Sequence, residues 1–279
     1  MPDRTRLLNS APLLLVAGFG DLGARVAARR IAAGAQVLAL RRRTTDDAPG
    51  LRGVRADLAT GDGLARLPRQ AEALLFCVAP DSRDERAYRA LYRDGLRRLL
   101  ERVDVPRLVF VSSTAVYAQD AGDWVDEASL AAPTVFNGRV LLEAEAVARA
   151  HAGGAVLRLS GLYGPGRESM LRRAREARAS ARRWTNRIHV EDAASAAALL
   201  LDVPVARSAS TWLGSDDVPA LECDVQAWVR SREGLPAVAP DPGNASGRRV
   251  ANARLRGLGW VPAFPDFRAG YAALTGPGV

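Results

Sequence analysis

Leu13-Leu-Leu-Val-Ala-Gly-Phe-Gly-Asp-Leu-Gly23 decides the reading of this 279-residue chain. Five apolar residues, Leu13–Ala17, run without alternation into a glycine cluster, the pattern of a short strand buried on both faces. Gly18-Phe19-Gly20-Asp21-Leu22-Gly23 then spells G-x-G-x-x-G at the opening of a helix that the pattern carries to about Gly34. Between a strand and a helix this spacing has a physical reading. Gly18 permits a tight turn, Gly20 lets backbone amides approach a pyrophosphate, and Gly23 lets the helix pack closely on the sheet. The unpaired N–H groups and positive dipole end of the helix then face the phosphates. Asp21 would repel a pyrophosphate unless it caps the helix while pointing away.

Outward from this turn, short apolar runs alternate with helical patterns. Strands are expected at Gln36–Leu40, Gly53–Ala56, Ala73–Val78, Arg107–Ser112 and Ala155–Leu159, with helices at about Asp84–Val103 and Gly138–His151 between the later ones. That alternation predicts an α/β fold, a Rossmann-type doubly wound parallel sheet, because parallel strands need helical crossovers. After Leu159 the pattern loosens into a turn-rich loop at Gly161–Gly166 and helices at about Glu168–Ala181, Glu191–Leu201 and Leu221–Arg230, with a strand at Ser210–Leu213. The organisation expected is a dinucleotide-binding domain over 1–160 and a smaller substrate lobe over 161–279, partly intertwined with the first.

Composition narrows the partners. The chain contains no lysine, so its 39 basic residues are all arginine, and the net charge is +8. Acidic residues interleave with most of the arginines. The densest stretch, Arg172–Arg183, carries six arginines with no aromatic until Trp184, whereas nucleic-acid binding favours a basic face with stacking aromatics. Nucleic acid is therefore disfavoured as a partner and a phosphorylated small molecule is favoured. The apolar stretch Ala11–Gly20 is too short to span a bilayer, which needs about 20 apolar residues, and reads as neither membrane anchor nor signal peptide. Cys77 and Cys223 form no disulfide framework or metal-ligand spacing, which fits a reduced, cytoplasmic setting. The oligomeric state stays open between monomer and homodimer.

The second strand ends in Leu40-Arg41-Arg42-Arg43, with no acid until Asp46. An NAD binder usually places an acid there for the ribose 2′-hydroxyl. Guanidinium groups suit a 2′-phosphate instead, through paired, charge-assisted hydrogen bonds. The cofactor expected is NADP in preference to NAD, and a solvated basic loop is the bland alternative.

Several segments together resemble the extended and atypical short-chain dehydrogenase/reductase superfamily, the NAD-dependent epimerase/dehydratase group. They are the glycine turn, Ala56-Asp57-Leu58, Leu108–Tyr117, Trp124-Val-Asp-Glu127, Leu157–Arg167, Arg187-Ile-His-Val-Glu-Asp192 and Arg249–Trp260. The resemblance implies that Asp57 and Leu58 contact the adenine and that Val78, Ala79 and Pro80 line the cofactor. It places Ser112 beside the cofactor and Ser113 at the catalytic serine or threonine position, where a hydroxyl polarises a substrate carbonyl. Ser113 also reads as a strand-end cap. Tyr163, Arg167, Arg187 and His189 fall in the motifs on the substrate side, and the likeness implies an anionic substrate such as a nucleotide sugar.

The superfamily's chemistry rests on Tyr-x-x-x-Lys, in which the lysine lowers the tyrosine pKa from about 10 towards neutrality. Without lysine this pair is absent in its usual form. Aligning Pro133, Gly138 and Glu145 places Asn137 at the tyrosine position and Leu141 at the lysine position. Ser113 and Tyr117 are the candidate catalytic residues in their stead. Arg139 reads either as a helix-surface partner of Glu143 or as a ligand of the nicotinamide ribose or a substrate anion. Two functions compete: an NADP-dependent oxidoreductase or epimerase, and a non-catalytic NADP(H)-binding sensor. The intact substrate-side motifs favour the first, and the missing Tyr/Lys pair favours the second.

Overall fold

A computed structural model of the chain describes residues 11–43, 46–204 and 211–275. Strand β1 (Leu13–Ala17) enters the turn and helix α1 (Asp21–Ala32) leaves it. β2 (Gln36–Arg41), β3 (Leu51–Arg55) and β4 (Ala73–Phe76) follow, then β5 (Leu108–Ser113), β6 (Ala121–Val125) and β7 (Gly154–Leu159). Further along come β8 (Gly161–Tyr163), β9 (Arg183–Thr185), β10 (Arg187–His189), β11 (Thr211–Gly214), β12 (Ala220–Leu221) and β13 (Ser246–Val250).

Seven strands form the main sheet in the order β3-β2-β1-β4-β5-β7-β11. The pairs β3/β2, β2/β1, β1/β4 and β4/β5 are parallel. This is the Rossmann-like α/β sheet expected from the alternation. Central strands owe their place to unbroken apolar runs: β4 and β7 are buried at every residue, as parallel strands covered on both faces must be. β3 sits at the edge and is only part-buried. Its polar sequence, Leu-Arg-Gly-Val-Arg, hides its first two residues from a reading by hydrophobicity.

The helical stretch expected over 84–103 is not regular. α2 (Glu85–Arg89) and α3 (Gly95–Arg102) are joined by a π-helical turn, Ala90–Asp94. The turn carries Tyr92, whose hydroxyl donates to the Val78 carbonyl at 3.2 Å, and this fixes the segment that leaves β4. Helix α4 (Phe136–Ala150) begins two residues before the expected Gly138. Helix α5 (Ser169–Glu176) stops short of Ala181, and α6 (Val190–Asp202) and α7 (Glu222–Arg232) follow the expected pattern closely. Of the strand expected at Ser210–Leu213, Ser210 lies outside the described residues.

The chain forms two compact units, one built from the described residues of Met1–Val111, Val140–Val156 and Ala197–Ser210, the other from Ser112–Arg139, Leu157–Ala196 and Thr211–Val279. The two units interleave along the chain: β5, α4, β7 and α6 each begin in one unit and end in the other. The second unit adds a four-stranded sheet, β12-β9-β13-β6, and the parallel pair β10/β8. Its core cluster includes Tyr163, Leu171, Val225, Val229, Phe267 and Tyr271.

Candidate functional site

In the first unit the glycine turn has the geometry its spacing demands. Gly18 lies at φ +96, and a Cβ there would sit 2.6 Å from the Cys77 carbonyl oxygen at the end of β4. A Cβ on Gly23 would sit 2.3 Å from the Gly18 carbonyl, so the first turn of α1 presses directly onto the loop. Cys77 Sγ donates to that same carbonyl at 3.2 Å, and burial pushes its thiol up to about 12, which marks it as packing rather than reactive.

Gly20 differs from its two neighbours in the motif. Among the described residues, nothing lies within 4 Å of where its Cβ would be. It caps α1 without a side-chain hydrogen bond, and the first intrahelical bond is Ala24 N–H to the Gly20 carbonyl at 2.8 Å. The helix N-terminus is uncapped and the space beside Gly20 is open, a cradle that a Cβ would fill and that fits a pyrophosphate. Asp21 does not cap the helix. It is the first helical residue, and its carboxylate accepts from Arg25 Nε at 2.7 Å.

Gly18 N–H bonds the Leu40 carbonyl, which ties the turn to the end of β2 and the exposed Arg41–Arg43. Arg42 is ion-paired with Asp81, immediately after Pro80. That partner was not foreseen, because it sits 39 residues away in sequence. Asp57 accepts from Ala59 N–H at 2.8 Å through one carboxylate oxygen, forming a turn that buries Leu58. Val78 is held by Tyr92, while Ala79 is exposed.

In the second unit, Ser112 is buried and Ser113 Oγ accepts from Ala115 N–H at 3.2 Å, capping a short 3-10 turn. That bond uses the oxygen and leaves the Ser113 proton to donate. Tyr117 is different. It is 2% exposed, its hydroxyl donates to the Asp126 carbonyl at 2.7 Å and accepts from Arg158 Nη1 at 2.8 Å, and the Arg158 guanidinium lies over its ring. A phenol so engaged holds the fold and does not present a proton to a substrate, contrary to the expectation for Tyr117.

Asn137 lies in the first turn of α4 and Leu141 one turn on, buried. Neither titrates. Gly138 is needed there, since a Cβ would meet Pro133 at 2.5 Å and the Ala115 carbonyl at 2.8 Å. Arg139 is exposed and donates to the Thr134 carbonyl at 2.9 Å. Its expected partner Glu143 is taken by Arg89 and Arg93, each at 3.0 Å.

Tyr163, Arg187 and His189 come together, all 4% exposed or less, whereas Arg167 is exposed. His189 stacks on Phe264 with ring centroids 3.9 Å apart, meets the Tyr163 ring edge-on, and accepts from Glu191 N–H through Nδ1. Asp192 ties α6 to the C-terminal loop, accepting from Ala263 and Phe264 N–H at 2.7 and 3.0 Å. One member of this group escaped the sequence reading: Asp216, 1% exposed, whose backbone N–H bonds the Arg187 carbonyl at 2.7 Å.

Known proteins were compared with this geometry in hand. Residues 14–211 match the model of the NAD dependent epimerase/dehydratase family. A Methylobacillus flagellatus structure of the NAD-dependent epimerase/dehydratase type is 33% identical, covers 95% of this chain and 98% of its own, and superposes with a TM-score of 0.81. Protein YeeZ of Escherichia coli (strain K12) is 39% identical over 102 residues, which span 36% of this chain and 37% of that protein. MoeE5, solved in complex with UDP-glucuronic acid and NAD, shares the fold with a TM-score of 0.77 at 23% identity, covering 94% of this chain and 97% of its own. The family match over most of the chain, joined to the glycine turn and its uncapped helix, makes this chain a member of the NAD dependent epimerase/dehydratase family.

Proposed function

We propose that the chain is an oxidoreductase or epimerase that uses NADP(H) in preference to NAD(H) and acts on an anionic small molecule, with nucleotide sugars as the substrate class. The observation that carries the cofactor part is the open, uncapped N-terminus of α1 at Gly20 beside a β2 end that offers Arg41, Arg42 and Arg43 and no acid. Backbone amides of the turn hold the pyrophosphate, Asp57 and Leu58 flank the adenine, and the arginines pair with the 2′-phosphate. Val78, Ala79, Pro80, Ser112 and Arg139 complete the cofactor contacts. A bound nicotinamide supplies or accepts the hydride.

Ser113 donates its free hydroxyl proton to a substrate carbonyl, polarising it, while Ala115 N–H fixes the oxygen. Tyr117 has no part in this, because its proton is bonded to Asp126. Tyr163, Arg167, Arg187 and His189 form the substrate side, with the guanidinium groups opposite phosphate. The nucleotide-sugar class is supported by the ligands bound to MoeE5 and by the family's substrate-side motifs in this chain.

Titration with NADPH and NADH tests the cofactor part: NADPH is expected to bind at least about tenfold tighter, and equal dissociation constants overturn the preference. A panel of UDP- and dTDP-sugars with NADP+ tests turnover, which Ser113→Ala should lower by about 100-fold or more. A second reading, a cofactor-binding sensor without turnover, is favoured by the absence of any lysine and by the engaged Tyr117. Tight NADPH binding with no turnover across the panel would select it.

A further inference from the structure

Among the described residues, the second unit buries six side chains with an unpartnered polar atom, and three of them belong to the Arg187 cluster: Tyr163 through Oη, Arg187 through Nη1 and Asp216 through both carboxylate oxygens. They are 3%, 4% and 1% exposed. Such groups are costly to leave without a hydrogen bond, and charged ones more than neutral ones. The backbone holds them adjacent, because Asp216 N–H and the Ser215 hydroxyl both bond the Arg187 carbonyl. Nη2 donates to the Thr185 hydroxyl, the guanidinium lies 5.4 Å from the Phe267 ring, and the Tyr271 hydroxyl is bonded to the same side chain. Among the described residues Nη1 has no hydrogen-bond partner, which leaves it for a ligand or for Asp216.

Two occupants compete for that arm. An anionic substrate pairs with Nη1 only while Asp216 does not. An ionised Asp216 claims it and also repels a second anion. We propose that Asp216 is a positioning residue that gates Arg187, leaving the guanidinium open to a substrate phosphate when its carboxyl is protonated and withdrawing it when the carboxyl is ionised. This rests on Arg187 being a substrate-side residue, as proposed above.

The surroundings set where the gate operates. Burial pushes Asp216 up to about 8, opposed by the neighbouring Arg187 and reinforced by the charges of Asp266 and Asp217. The phenols Tyr163 and Tyr271, which burial raises, stay neutral; His189 packs against the Tyr163 ring, and Arg173 acts on Tyr271. Gly270 makes room for the Tyr163 hydroxyl, since a Cβ there would sit 1.8 Å from it. Asp192 is occupied by its two backbone donors.

The test is calorimetric binding of UDP-glucose, whose diphosphate does not titrate between pH 6 and pH 9, to the full chain. Wild type should bind about tenfold more weakly at pH 9 than at pH 6, because one unit above the transition about a tenth of the molecules keep Arg187 open. Asp216→Asn should bind at pH 9 as wild type does at pH 6. Asp266→Asn, which keeps an N-capping side chain and removes one charge, should move the midpoint to lower pH. A role confined to packing would move no midpoint. A wild-type affinity that is flat with pH, or the same pH dependence in both variants, overturns the gate. Arg187→Ala separates the two ideas: undiminished binding overturns the substrate reading of Arg187 itself, and loss of binding with a flat wild-type profile overturns only the gate. No wild-type binding at pH 6 overturns both.

Discussion

The glycine turn and the Arg187 cluster are both close-packed, yet they are finished to different degrees. At Gly18 and Gly23 backbone meets backbone with no room for a Cβ, the carbonyl of Gly18 accepts from Cys77, and the helix end opens only at Gly20. Arg187 lies against the Phe267 ring, and Tyr163 packs on Tyr271, but Tyr163, Arg187 and Asp216 each keep a buried polar atom without a partner. The first region is built to hold one shape. The second stores an electrostatic conflict, which fits a place where a ligand or a proton completes the structure.

If the first region is a rigid holder, breaking it should be the costliest change available. Gly18→Val forces a branched side chain into positive φ and against the Cys77 carbonyl. It should cost more than about 3 kcal/mol of stability and abolish NADPH binding. Chemical denaturation and cofactor titration of the same sample check both. Gly20→Ala, with open space at its Cβ, should fold normally and lose cofactor affinity alone.

The second region should instead betray itself through pH. A carboxyl near pH 4 in the unfolded chain and raised to about 8 in the folded one binds its proton more tightly when folded. Folding therefore retains a proton between those values, and stability falls as pH rises from about 4 to about 8, by up to about 1.4 kcal/mol per pH unit. Asp216→Asn should flatten that part of the stability profile, measured by urea unfolding across the range. An unchanged slope in the variant would show that the conflict is already resolved in solution.

These two regions also differ in how far they can be read without coordinates. The β1-turn-α1 unit is local: strand, glycines and helix lie within 20 residues, and each residue's reason is in its neighbours. The short strands β6, β8, β9, β10, β12 and β13 were not legible, since they run two to five residues, carry arginine and glycine, and exist through pairing with distant segments. Asp216 and Asp81 were missed for the same reason. Each matters through an arginine far away in the chain, Arg187 or Arg42, and spacing carries no trace of that.

The serine and tyrosine of the segment after β5 sharpen the contrast on a smaller scale. Tyr117→Phe removes a hydroxyl that links Asp126 and the buried Arg158, so it should lower stability by about 1–3 kcal/mol and leave turnover nearly intact. Ser113→Ala should do the reverse, with little effect on melting and a loss of turnover of about 100-fold or more. Equal loss of turnover in both would return Tyr117 to the chemistry.

The smallest effect expected lies at the rim of the holder. Arg42 is drawn to Asp81 across the end of the sheet, and each side chain is more than half exposed. Exposed pairs are worth little, so the pair itself contributes almost nothing to folding. Its consequence is for recognition, because a 2′-phosphate must displace Asp81 to reach Arg42 and then lies beside a carboxylate. Asp81→Asn removes both obstacles and should tighten NADPH roughly twofold to fivefold. NADH, which brings no phosphate to that position, should bind as before. Tightening of both cofactors alike would mean that Asp81 acts on the pyrophosphate through its general field. Tightening of neither would mean that Arg42 does not meet the 2′-phosphate, and the preference would then rest on Arg41 and Arg43.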